Sequence, residues 1–193
     1  MKKIEKIDLN PFDETMKNFK VECTYNWFSP GLFEAKFIVT NKNGLPWNIS
    51  KSFDDNGIEN WGLWEHDVVE MFLQPRNDPS EITAPYLELQ LSPRGQKFAV
   101  IVHDPRKKYE TPFDLNFMGH SKRSSKEWSA EFKVTHELLL KPFLYGTFNA
   151  CLGDVSCREF FASSWANRKI LDFHVPNAFI QLNAGPKKGD DDC

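Results

Sequence analysis

Tyr86–Pro93 reads YLELQLSP, and its alternation has no break. Leu87, Leu89 and Leu91 fall on one side of an extended chain, while Tyr86, Glu88, Gln90 and Ser92 fall on the other. A period of two marks a β-strand, because successive side chains point to opposite faces. Asp67–Pro75, DVVEMFLQP, sets Val69, Met71 and Leu73 against Val68, Glu70 and Phe72 in the same way. Similar short segments recur as FKVECTYNW (19–27), LFEAKFIVTN (32–41), KFAVIVHD (97–104), EWSAEFKV (127–134), GTFNACLGD (146–154), REFFASSW (158–165) and AFIQLN (178–183). Turn signals stand between them, among them Asn41-Lys42-Asn43-Gly44 and Pro93-Arg94-Gly95. One segment, THELLLKP (135–142), has a helical look, with Thr135 as N-cap and Pro142 closing it. Many short strands joined by turns make a sandwich or a barrel. The expectation is an all-β, two-sheet antiparallel β-sandwich of jelly-roll or immunoglobulin-like type, with at most one or two short helices.

Bulk properties agree with one domain. The 193 residues are 40% hydrophobic and 14% aromatic, enough for a packed core. Residues 1–185 are expected to form the domain and 186–193 a charged tail. A formal net charge of -3 without a long basic run argues against nucleic acid as partner. No segment is long and apolar enough for a membrane span, and MKKIEKIDLN has no apolar run of a signal peptide. A cytoplasmic location is the expectation, or export if the sequence was trimmed. The four cysteines, Cys23, Cys151, Cys157 and Cys193, form no CxxC pair, so free thiols in a reducing compartment are expected.

The polar side of YLELQLSP raises the functional question. Tyr86, Glu88 and Gln90 are joined by Glu70 on a strand expected to lie nearby, and Trp64 stands six residues before Glu70. Two readings of these residues stand. One is an ordinary solvated sheet face with Trp64 capping the core edge. The other is a sugar site, because carboxylates and amides match hydroxyls that both donate and accept, and a flat aromatic packs on the apolar face of a pyranose.

In order along the chain, WEHDVVEMFLQP, YLELQLSPRGQ, EWSAEFKV, FNACLGD and SSW…DFHVPNAFIQL resemble the family 9 carbohydrate-binding modules and their stand-alone bacterial relatives, within the DOMON-like group of sandwiches. The resemblance runs from about Trp61 to Leu182. It implies a sugar, mono- or oligosaccharide, held between two aromatics, and an association with carbohydrate breakdown. Carried over residue by residue, it places an aromatic platform at Trp64, a carboxylate at Glu70 and a structural Asp at Asp67. Gln90 stands where the binding modules carry Arg, and Phe173 where they carry Trp. Gln lacks the charged fork of Arg, and Phe is a smaller platform. His174, in a Phe-His-x-Pro pattern, is a candidate donor to a ligand oxygen or a brace for its own loop, and Trp165 belongs to the framework. The candidate ligand residues are therefore Trp64, Glu70, Glu88, Gln90, Phe173 and His174.

Other chemistries were weighed on the same residues. Glu70 and Glu88 are the pair a glycosidase would use, but their polar setting predicts ordinary carboxylate pKa values. Non-catalytic binding is the expectation, by this chain alone or as a glycoside-hydrolase-associated domain. His66, His103, His120, His136 and His174 lack zinc-site spacing. No cofactor is expected. Calcium, which family modules carry, would fall to loop residues such as Asp54, Asp55 and Asn56, which lack EF-hand spacing. The rival reading is haem, which some DOMON-like sandwiches hold through Met and His; Met71, Met118, His103 and His174 are the ligands available.

Overall fold

The computed structural model describes residues 4–15, 18–28, 31–165 and 170–182. Among these lie twelve strands. The first three are β1 (Glu5–Pro11), β2 (Phe19–Phe28) and β3 (Leu32–Asn41). Then come β4 (Val68–Arg76), β5 (Tyr86–Leu91), β6 (Lys97–Asp104) and β7 (Lys108–Glu110). The chain continues with β8 (Asn116–Arg123), β9 (Glu127–Thr135), β10 (Phe143–Leu152), β11 (Glu159–Ala162) and β12 (Ile180–Gln181). Three 3-10 turns, η1 (Leu63–Glu65), η2 (Glu137–Leu140) and η3 (Pro176–Ala178), are the helical elements.

All pairings are antiparallel and form two sheets. One runs β1-β2-β3-β9-β8; the other runs β7-β6-β5-β4-β10-β11, with β12 added beside the first half of β10. β1 belongs to both. Glu5–Leu9 pairs with β2, and Asn10 and Pro11 then pair with β11, so one strand stitches the sheets together. Pro11 at its end gives up no ladder donor that a central strand would need.

The inner faces form the core. Val69, Met71, Leu73, Leu87, Leu89 and Leu91 pack against Val21, Phe37, Trp128 and Phe132 of the other sheet. The alternation read from YLELQLSP and DVVEMFLQP thus holds side for side. The other side does not meet solvent as a sheet face with mixed polar residues would. Every residue of β4 and β5 is buried, Glu70, Glu88 and Gln90 included. A second apolar cluster of Val68, Phe72, Tyr86, Phe98, Val100 and Phe179 covers that outer face. Leu63 and Trp64, before β4, and Phe173, after β11, pack on that cluster.

One local expectation is corrected, and three strands lie outside the segments read from sequence. THELLLKP holds only the single 3-10 turn η2; Thr135 ends β9, and His136 caps the turn by accepting from the Leu138 amide. Met118-Gly119-His120 lies in β8, whose inward positions are Phe117, Gly119 and Ser121; the last two are too small to give an apolar alternation in the sequence. β1 and β7 are strands that alternation did not reveal; β7 is three exposed residues at the sheet edge. No helix among the described residues is long and apolar enough to cross a membrane. Cys23 and Cys151 are free and buried, and Cys157 is free and exposed, while Cys193 and the tail at 186–193 lie outside the described residues.

Candidate functional site

Strand register builds the floor of the site. On the outer face of the second sheet, Phe98, Gln90, Glu70 and Asn149 stand opposite one another across β6, β5, β4 and β10. The next row is Val100, Glu88, Phe72 and Thr147. Facing pairs on neighbouring strands share a side, so Glu70, Glu88 and Gln90 converge. Gln90 donates from Nε2 to Glu88 Oε1 at 2.8 Å. Its own Oε1 is buried without a partner, as is Asn149 Nδ2.

The walls are aromatic. Gly62 takes φ +89, a left-handed conformation that side chains disfavour, and swings Trp61 and Trp64 onto the same side of η1. Trp64 is half-buried, edge to face with Trp61 at 5.1 Å and with Phe98 at 5.6 Å. Trp61 in turn meets Tyr109 of β7 at 5.6 Å. Phe173 packs near Phe160 of β11 and Trp165, at 6.4 and 5.4 Å. In strand order, the Trp64 wall rests on β6 and β7, the Phe173 wall on β11, and the polar floor lies between.

The segments that bear Trp64 and Phe173 are pinned. The Arg158 guanidinium donates to the carbonyls of Glu65 (2.6 Å), His66 (2.7 Å) and Trp64, which clamps the turn bearing Trp64. Asp67 accepts from the Asn48 amide at 2.7 Å and the Gly153 amide at 2.6 Å. It braces two loops as well as the start of β4, and burial pushes its carboxyl up to about 6. On the other side, Arg76 reaches the Pro176 carbonyl at 3.3 Å, and Asp172 Oδ1 accepts from the His174 amide at 2.9 Å. The His174 ring stacks on Phe72 at 4.9 Å, with Nδ1 2.6 Å from the Tyr86 hydroxyl and Nε2 3.9 Å from Glu88 Oε2. A side-chain hydroxyl, rather than a backbone carbonyl, therefore braces it.

Trp64, Glu70, Glu88, Gln90, Phe173 and His174 all line one cavity of about 260 Å³. Sequence reasoning missed Trp61, Phe98, Tyr109, Arg106 and Cys151, which share it. Phe98 lay in a recognisable strand, but which cavity a strand face meets is not a local property. Arg158 was missed because its partners are backbone carbonyls more than ninety positions away.

The electrostatics depart from expectation. Burial raises the Glu70 and Glu88 carboxyls well above the ordinary Glu range, and repulsion from Glu88 adds to the rise at Glu70. The polar groups beside them do not offset this: Glu88 gains the Gln90 amide, whereas Glu70 has only the Cys151 thiol at 4.0 Å and the more distant pull of Arg158. Burial lowers His174, so its imidazole is neutral at pH 7. The haem candidates are dispersed. Met71 packs in the inter-sheet core, His174 lies on the outer face, His103 pairs with Glu110 at 2.8 Å, and Met118 is exposed on β8. Asp55 of the proposed calcium loop is paired with Arg94 at 2.6 Å, and Asp54 accepts from the Asn56 amide.

Against solved structures, the chain superposes on a family 9 carbohydrate-binding module from Caldicellulosiruptor kristjanssonii, in complexes with cellotriose and with glucose. Each gives a TM-score of 0.60 at 14% identity over 91% of this chain, and covers 80% and 82% of the module. The fold is similar to that of a family 9 module. In sequence, the chain is 28% identical to the human UPF0462 protein C4orf33 over 124 residues, which is 59% of this chain and 58% of that protein. The chain thus aligns with well under two thirds of that relative's length. No family model matches the sequence.

Proposed function

We propose that this chain binds a mono- or oligosaccharide without cleaving it, in the cavity between Trp64 and Phe173. One observation carries the reading: six residues chosen as a sugar site from sequence line a single cavity, with aromatic walls on either side of a carboxylate-and-amide floor. A volume of about 260 Å³ is near the small end of ligand pockets, so it suits one or two sugar rings rather than a long chain. Trp64 and Phe173 stack on the apolar ring faces, and Glu70, Glu88 and Gln90 take the hydroxyls. The complexes of the structurally similar module with glucose and cellotriose lend the reading support.

The raised carboxyl pair favours glycoside hydrolysis as a second reading, since acid and base need separated protonation states. Hydrolysis needs two carboxyls flanking the scissile bond. Glu70 and Glu88 instead rise from adjacent strands of one floor, which suits holding a ring better than cutting between two. A glycan array followed by titration calorimetry tests the proposal. Binding to a defined saccharide, with no new reducing ends on prolonged incubation, supports it. Silence across the array, or release of product, overturns it.

A further inference from the structure

Among the described residues, no free cation balances the charge that the pocket floor takes on when its two carboxyls ionise. Glu70 and Glu88 are 2% and 5% exposed, on adjacent strands. Each nearby cation among the described residues is occupied or distant. Arg158 spends its guanidinium on three backbone carbonyls, while Arg106 is at the rim, 67% exposed, and paired with Asp172 at 3.0 Å. His174 is held neutral by burial and is engaged by Tyr86. The remaining titratable neighbours, Tyr86, Tyr109 and Cys151, bring no positive charge.

A second observation is independent of charge. Gln90 is 1% exposed and lines the cavity, yet its Oε1 has no partner because its amide nitrogen is committed to Glu88. A buried acceptor left in this state is unfavourable unless something donates to it. The Glu70 and Glu88 carboxyls and the unpartnered Gln90 Oε1 thus belong to residues that line one small space, beside the aromatic side chains of Trp64 and Trp61. An alkylammonium offers three N–H donors and a positive charge, and aromatic faces attract it as well.

Resting on the carbohydrate reading, the geometry points to an amino sugar as the preferred ligand, its ammonium held by Glu70, Glu88 and Gln90 and its ring against the Trp64 wall. A hydroxyl at the same place would donate once and bring no charge to favour ionised carboxylates. The ammonium favours ionised carboxylates, so binding expels protons that the empty pocket holds at neutral pH.

The test is calorimetry of the full chain with matched pairs: glucosamine and glucose, galactosamine and galactose, mannosamine and mannose. The expected result is at least one pair in which the amino sugar binds about ten-fold or more tightly, with proton release seen as a buffer-dependent enthalpy. Glu88→Gln keeps the shape and should abolish both the preference and the proton release. Equal binding within every pair that binds overturns this inference and leaves the carbohydrate reading standing. Silence in all pairs also overturns this inference, whereas the carbohydrate reading falls only if the glycan array is silent as well. Methylammonium chloride binding as tightly as the amino sugar also overturns the inference, because the ring would then contribute nothing.

Discussion

Trp64→Ala separates a binding platform from a core residue. In the fold, the Trp64 ring is half-buried and makes two edge-to-face contacts, with Trp61 at 5.1 Å and Phe98 at 5.6 Å. Such pairs contribute about 0.5–1.5 kcal/mol each, so truncation should cost roughly 1–3 kcal/mol of stability. Trp128, 0% exposed at the centre of the inter-sheet core, is the internal standard: Trp128→Ala should cost about 3–5 kcal/mol. For binding, a pyranose face covering on the order of 50–100 Å² of the ring, at about 25 cal/mol per Å², gives roughly 1.3–2.5 kcal/mol. Sugar affinity should therefore fall about 10- to 70-fold. Denaturant melts give the first quantity and calorimetry with a bound sugar gives the second. If Trp64→Ala destabilises as much as Trp128→Ala, Trp64 is a core residue and the platform argument fails. If it folds and binds sugar like wild type, the site lies elsewhere on the sandwich.

Three other outcomes follow from the same geometry. Because burial raises Glu70 and Glu88 in the folded state, folding favours their protonated forms; stability is fully present below the ordinary Glu value of 4.5 and declines as pH rises through the higher folded values. Denaturation midpoints should fall from about pH 5 towards pH 8, and Glu70→Gln should flatten that slope; an unchanged slope in the variant would show that other groups cause it. Arg158→Lys keeps the charge but cannot hold three carbonyls, so hydrogen exchange should quicken in residues 61–67 and stability should drop by about 1–2 kcal/mol; exchange like wild type would mean that Arg158 does not pin the turn. A Cβ at Gly146 would collide with the Phe72 carbonyl oxygen between β10 and β4, so Gly146→Ala should cost about 3 kcal/mol in a thermal melt, and a neutral result would show that the strands separate easily.

Much of the fold was legible because strand alternation is a local property. YLELQLSP and DVVEMFLQP each divide cleanly into a core side and an outer side, and the Leu and Val side went where hydrophobic burial sends it. Edge strands resisted the same reading. β7 is three exposed residues, and the inward Gly119 and Ser121 of β8 are too small to give an apolar alternation. THELLLKP failed as a helix because β9 runs through Thr135 and leaves room for only a single turn before Phe143.

For the site, a strand's period placed Glu70, Glu88 and Gln90 on one face, Trp64 stood six residues before Glu70, and the resemblance to family 9 modules added Phe173 and His174. Their environment was not readable. Glu70 and Glu88 looked like members of a wet sheet face even though Val68, Phe72 and Tyr86 flank them on the same side. Further cover comes from Trp64, before β4, and from Phe173 and Phe179, after β11, which reach the face only in the folded chain. Alternation, and with it the two faces, belonged to the sequence. The raised carboxyl pKa values, the unpartnered Gln90 oxygen and the clamp by Arg158 belonged to the tertiary structure, because burial and long-range hydrogen bonds depend on what packs above a strand rather than on what flanks it in the chain.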